Sequence, residues 1–214
     1  MSNNVKFNGQ ALQDKFVLEV LQYKKNGYFI EIGSHDYMKI NNTYLLETKF
    51  NWNGIMIEID NKFLENYKLY RKNSIHIIDN AIKINYNDLF SKNNVPKSID
   101  YLQIDLYQQT SLDVLIKLDN EIMNNYKFAT ITFEHDFYRD KNYTRMNKQR
   151  EILLKHGYYC VFENISNKYN PYEDWWVHPD LVDMDLIYKL QNKNKDKIFV
   201  HSNLNCLNWN DIIY

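Results

Sequence analysis

Five short apolar runs, separated by longer stretches with helical spacing, constrain this chain more than any other feature. Residues 28–32, 55–59, 75–78, 101–106 and 129–133 are largely continuous in apolar side chains rather than alternating. Such runs suit strands buried on both faces, and parallel strands need crossover connections that cover those faces. Helical spacing over 43–50, 61–72, 110–124 and 143–156, with a shorter helix at 86–90, supplies the crossovers. Two later runs, 158–165 and 174–177, are joined by 166–173, which is too short for a crossover helix, so they pair antiparallel. The expected fold is α/β: a mostly parallel, Rossmann-like seven-stranded sheet with a terminal antiparallel hairpin and helices on both faces.

At 214 residues the chain is expected to form a single domain over 1–188, with an N-terminal helix within 1–26 packed on it. Leu12, Phe16, Val17, Val20 and Leu21 share one face of a helix over 10–25, and Gly27 is expected to end it in a left-handed conformation. Residues 189–197 read as a polar break and 198–214 as a tail. A net charge of −1 gives no general attraction to nucleic acid or to an anionic membrane, and neither partner is expected. Cys160 and Cys206 have no metal-ligand spacing and read as free thiols of a reducing compartment. No stretch has signal-peptide or membrane-span character, which makes a soluble, cytoplasmic protein the expectation.

In a doubly wound sheet the ligand crevice lies beyond the carboxyl ends of the strands, where strand order reverses. The first run ends Glu31-Ile32-Gly33, so Ser34–Asn42 should cover that crevice. A single glycine there does not provide the several close backbone N–H groups that a pyrophosphate requires, which argues against NAD or FAD. S-adenosylmethionine carries no phosphate, and its ammonium and sulfonium favour carboxylates such as Glu31 and Asp36. The second run ends in Glu58-Ile59-Asp60, where an acid can hydrogen-bond a ribose diol; Glu58 is the first choice. Asp79 and Asn80, after the third run, are candidates to meet the adenine amino group.

The blocks GYFIEIGSHD (27–36), NNTYLLE (41–47), NWNGIMIEID (51–60), IDYLQIDL (99–106), TITFEHDFY (130–138) and YEDWWVHP (172–179) occur in one order over 10–177. In this respect the sequence resembles the FkbM family of S-adenosylmethionine-dependent methyltransferases, many of which methylate hydroxyls of sugars or glycosylated metabolites. The resemblance implies the class I methyltransferase version of the fold. It maps Glu31, Gly33 and Asp36 to the cofactor loop, where Ser34 is a further cofactor candidate, Asn42 and Thr43 to the following helix start, and Glu58 to the ribose acid. Members commonly carry Asp-x-Glu-Gly after the fourth strand, where this chain has Asp105-Leu106-Tyr107-Gln108, leaving Asp105 as the acid on the cofactor side. Tyr37 replaces a small residue and is expected to narrow the entrance.

Methyl transfer to a hydroxyl needs in-line positioning and removal of a proton. Asp105 ends the fourth run and Glu134-His135-Asp136 ends the fifth. In one scheme His135 is the general base, oriented by a neighbouring acid such as Asp136. In the other, Asp105, Glu134 and Asp136 hold Mg²⁺ or another divalent cation that acidifies the acceptor. Tyr138 and Arg139, with Arg145 and Arg150 beyond them, should roof the acceptor, and one of Trp175 and Trp176 is expected to line the cleft. The leading expectation is O-methylation of a small-molecule or glycan acceptor. The alternatives are a non-sugar or protein acceptor, or a methyltransferase-like binding module without turnover.

Overall fold

The computed structural model describes residues 5–167 and 170–192. Helix α1 (Gln13–Val20) precedes strand β1 (Tyr28–Ile32), then α2 (Tyr44–Phe50), β2 (Asn53–Glu58), α3 (Leu64–Tyr70) and β3 (Ser74–Ile78). The second half runs α4 (Tyr86–Lys92), β4 (Ser98–Ile104), α5 (Gln109–Glu121), β5 (Lys127–Glu134), α6 (Phe137–Asp140) and α7 (Tyr143–Lys155). It closes with β6 (Tyr159–Asn167), β7 (Asn170–Val177) and α8 (Met184–Asn192). The seven strands form one sheet in the order β3-β2-β1-β4-β5-β7-β6. Strands β1 to β5 are parallel, and β7 pairs antiparallel with both β5 and β6. The expected sheet and its terminal hairpin are both present.

Strand alternation divides the interior into two cores. On one face, Ile30, Ile55, Leu102, Ile131 and Trp176 pack with Phe90, Leu115 and Leu153 of α4, α5 and α7. On the other, Phe29, Met56, Tyr101 and Trp175 pack with Phe16, Leu46, Tyr67 and Ile187 of α1, α2, α3 and α8. Continuous apolar runs suit the central strands β1, β2, β4 and β5, whose successive residues face one core and then the other.

Several local expectations change. Helix α1 stops at Val20, not near residue 25, because Gln22 (φ 51°) and Tyr23 (φ 56°) turn left-handed and Tyr23 N–H closes the turn on Leu18 O at 2.6 Å. Gly27 is therefore not the helix terminator. It is needed for packing: a Cβ there would stand 2.5 Å from the Trp52 ring. The helix expected over 61–72 begins instead as a 3-10 turn, opened by Asp60 accepting from Lys62 N–H. Lys189–Asn192 continue α8 rather than forming a break, because Leu190 packs in the second core. The rest of the break and the tail, with Cys206, lie outside the described residues. Among the described residues, no helix is long and apolar enough to cross a membrane.

Candidate functional site

Strand order reverses between β1 and β4, and two cavities open at the carboxyl ends of the strands there. The first, about 350 Å³, is lined by Glu31, Gly33, Ser34, Asn42, Gln103 and Asp105, with Gln10 and His35 at its margin. The second, about 310 Å³, lies against Ile57, Asp79, Asn80, Ala81, Ile82 and Thr110. Glu58, Leu106 and Tyr107 line both, so Glu58 stands at their junction.

Backbone geometry builds the first cavity. Gly33 adopts φ +88°, and a Cβ on it would lie 1.9 Å from the carbonyl oxygen of Asp105. The glycine is thus required by the close approach of β1 and β4 chain ends, where a ligand contact had been expected. Glu58 is held by three backbone donors: His35 N–H at 2.8 Å on one oxygen, and Ile59 and Asp60 N–H at 2.8 and 3.0 Å on the other. A carboxylate has about four lone-pair sites, so one remains for a hydroxyl.

Asn41, absent from the sequence expectations, is the hub of the loop. Its amide nitrogen donates to Glu31 Oε2 at 3.1 Å and to Ser34 O at 3.0 Å, while its oxygen accepts from Tyr44 N–H and from Arg71 Nη1. Arg71, fully buried after α3, also pairs with Glu47 at 2.8 Å and donates to Thr43 Oγ1 at 2.6 Å. Thr43 therefore braces the loop from behind and lines neither cavity. Asp36 likewise turns outward, its Oδ1 accepting from Met38 and Lys39 N–H. Tyr37 stacks on Tyr70 at 4.5 Å, and Ile40 instead lines the cavity entrance. Asn42 Oδ1 and Gln103 Oε1 are buried without hydrogen-bond partners among the described residues. Gln103 lies two residues before Asp105 on the same strand, so period-two alternation could have found it.

At the ends of β4 and β5, Asp105 and Glu134 hydrogen-bond through their side chains. Burial raises both carboxyl pKa values, that of Glu134 well above the usual range, with Asp105 and Asp136 adding like charge. Two such groups in contact cannot both ionise easily, so they share one proton, with Asp105 the more acidic member. Asp136, left-handed at φ 52°, is tied by Arg139 Nε at 2.8 Å and Gln108 N–H at 3.2 Å.

The strand alternation that aims Glu134 at Asp105 sends His135 to the opposite face. There its Nδ1 accepts from Phe137 N–H at 3.1 Å and its Nε2 stands 3.6 Å from Asp174, so it does not reach the cavities as a base would. The cation scheme also lacks its site. Among the described residues no group of three His, Cys, Asp or Glu is placed to hold a metal.

Trp175 and Trp176 do not line the cleft. They face opposite cores and are fully buried, so two adjacent tryptophans are both accommodated by a sheet covered on both sides. Arg145, also buried, donates to His135 O at 3.0 Å, and Arg150 grips Asp174 through Nε and Nη2 at 2.8 and 2.9 Å. Only Arg139 of the three reaches the mouth, its guanidinium 5.6 Å from the Tyr107 ring and 5.0 Å from that of Tyr138.

No family model matches the sequence, and no curated protein matches it. Solved structures do share the architecture. A Clostridium thermocellum protein assigned as an rRNA methylase superposes with a TM-score of 0.52 at 14% identity, covering 82% of this chain and 99% of its own. The fold is that of the class I methyltransferases. More distant are a TehB-like S-adenosylmethionine-dependent methyltransferase from Corynebacterium glutamicum and the fibrillarin of Aeropyrum pernix, whose structure holds natively bound S-adenosylmethionine. Their TM-scores are 0.49 and 0.47, each at 10% identity. The first covers 82% of this chain and 90% of its own, the second 76% and 74%.

Proposed function

We propose that the protein is an S-adenosylmethionine-dependent methyltransferase of the FkbM type, acting on a hydroxyl of a sugar or glycan. The observation that carries the reading is the pair of cavities joined at Glu58. One suits a nucleoside base, beside Asp79 and Asn80, and the other a small zwitterion, beside Glu31, Asn42 and Gln103. Asn42 and Gln103 line the second of these with neutral amide side chains. When bound, the cofactor supplies an electrophilic methyl group with a neutral thioether as leaving group.

The chain's own residues then have three tasks. Glu58 fixes the ribose, and the walls of the two cavities fix the remainder of the cofactor. Positioning of this kind lowers a barrier by roughly 7–11 kcal/mol when two reactants are held in line. Asp105, which lines the cavity, is the chain's base: it accepts the acceptor's hydroxyl proton while Glu134 donates a hydrogen bond to it. Tyr107 and Arg139 close the mouth over that point. The carboxylates of the cavity lining, set against Arg139 near the mouth, disfavour a phosphate-rich acceptor such as nucleic acid and suit a neutral polyol with several donors.

Isothermal titration of S-adenosylhomocysteine tests the cofactor reading. Binding by the folded protein is expected, weakened at least about tenfold, or 1.4 kcal/mol, in Glu58→Ala. No binding, or an unchanged affinity in that variant, removes the basis of the reading. The acceptor is tested with methyl-labelled cofactor on glycan fractions. Label appearing only in protein or nucleic acid refutes the sugar assignment.

A further inference from the structure

A third cavity, of about 690 Å³, lies between the N-terminal segment, the turn before β1 and helix α2. It shares no lining residue with the two cavities at the strand ends. Its wall is largely apolar: Leu45 is buried in the second core, Val5 and Phe50 pack against that core, and Met38 is left 39% exposed. A cavity of this size, mostly apolar with a few polar groups, suits a small organic ligand. Its charged groups are all of one sign. Lys6, Lys25 and Lys49 line it, each exposed and without an acidic partner among the described residues. Among the described residues no Asp or Glu lines it. The acids of the adjoining segments are engaged elsewhere: Asp14 Oδ2 accepts from Asn8 N–H at 2.6 Å, Asp36 from Met38 and Lys39 N–H, and Glu47 from Arg71.

An apolar wall rewards burial of an apolar body, and cations grouped without an acid repel one another until an anion joins them. Inorganic phosphate would use the cations and leave the wall in water. A neutral hydrocarbon would use the wall and leave the cations unrelieved. From this pairing we infer that the cavity is a binding site for a small soluble amphiphilic anion, an aliphatic chain ending in one anionic head group such as a carboxylate. The chain lies against Leu45, Phe50 and Met38, and the head group is held by the lysines, whose aliphatic stems extend the apolar wall. This site is independent of the cofactor reading. Met38 nevertheless belongs to the loop that carries Ile40, Asn41 and Asn42 along the first cavity, so the two sites share one loop.

NMR titration of the full chain, labelled in its methionine methyls, tests the site with octanoate, 1-octanol, octyltrimethylammonium and inorganic phosphate. Octanoate is expected to shift the Met38 signal saturably and to leave Met123, buried in the other core, unmoved. Its affinity should fall as salt rises, and fall about fourfold for each methylene removed. The alcohol, the alkylammonium and phosphate should each bind at least about tenfold more weakly. Exposed charges contribute about two- to threefold each, so Lys6→Gln, Lys25→Gln and Lys49→Gln together should weaken octanoate about tenfold. The salt dependence of the unaltered chain tests the same charges without a variant. The site is overturned if octanoate leaves Met38 unmoved, if the alcohol or the alkylammonium binds equally well, or if neither salt nor the triple variant changes the affinity. Anionic phospholipid vesicles that bind the protein while octanoate leaves Met38 unmoved also overturn it, because the lysines then mark a membrane-facing surface and not a cavity.

Discussion

Glu173 offers a direct test of how this fold tolerates buried acids. It is fully buried on β7, with Gln13 Nε2 donating at 2.8 Å and Trp175 Nε1 at 2.6 Å. Burial is the main influence on it and raises its pKa from 4.5 to about 8, against the pull of those two donors. The folded state thus keeps a proton that the unfolded chain loses near 4.5, and this group's contribution to stability is lost as the pH rises through that interval. From the two values, the loss between pH 4.5 and pH 7 is about 3 kcal/mol. Glu173→Gln removes the titration while keeping the volume. Its amide N–H₂ faces one of the two donors and costs about 1–3 kcal/mol, but equally at every pH. The variant should therefore be the less stable protein at pH 4.5 and gain on the wild type by about 3 kcal/mol at pH 7. Urea unfolding followed by tryptophan fluorescence at pH 4.5, 5.5, 6.2 and 7 measures this difference. Asp14 and Glu31 titrate in both proteins and cancel. If the two stability curves run parallel, Glu173 is ionised throughout and the account of the buried acids is wrong.

Gly33→Ala should cost about 1–3 kcal/mol from its dihedral strain alone and more from displacing Asp105 O, and cofactor-analogue binding should be lost with it. Thermal unfolding and calorimetry check this, and a stable variant that binds normally refutes the close-approach argument. Arg71→Met leaves Glu47 buried without its ion partner, so a loss of about 3–5 kcal/mol is expected, partly restored by adding Glu47→Gln. Denaturant melts of the single and double variants decide it, and additive losses count against coupling. Trp175→Phe removes a hydrogen bond to Glu173, whereas the Trp176 Nε1 has no partner among the described residues to lose. Trp175→Phe should therefore be the costlier by about 1–3 kcal/mol, and equal melts oppose that.

What the sequence makes legible follows from what is local in it. Apolar runs and helical spacing are one-dimensional patterns, so the sheet, its switch point and Glu58 at a strand end could be read directly. The brace behind the loop could not be. Arg71 is a single arginine at the end of a helix, and nothing in its neighbours announces that it meets Glu47, Asn41 and Thr43 from 24 to 30 residues away. The two tryptophans misled for a different reason: period two says that neighbours face opposite sides, but not that both sides are core. His135 failed by that same rule, since the alternation that brings Glu134 to Asp105 necessarily turns the next residue away. The acid pair and the base assignment are therefore one deduction. Once β5 is fixed in register beside β4, with Gln103 opposite Thr132 and Ile104 opposite Phe133, the ends of these strands bring Asp105 and Glu134 together. In the proposed reaction the base on this side of the sheet is then a carboxyl group. Its readiness at neutral pH depends on the proton it shares, rather than on an imidazole.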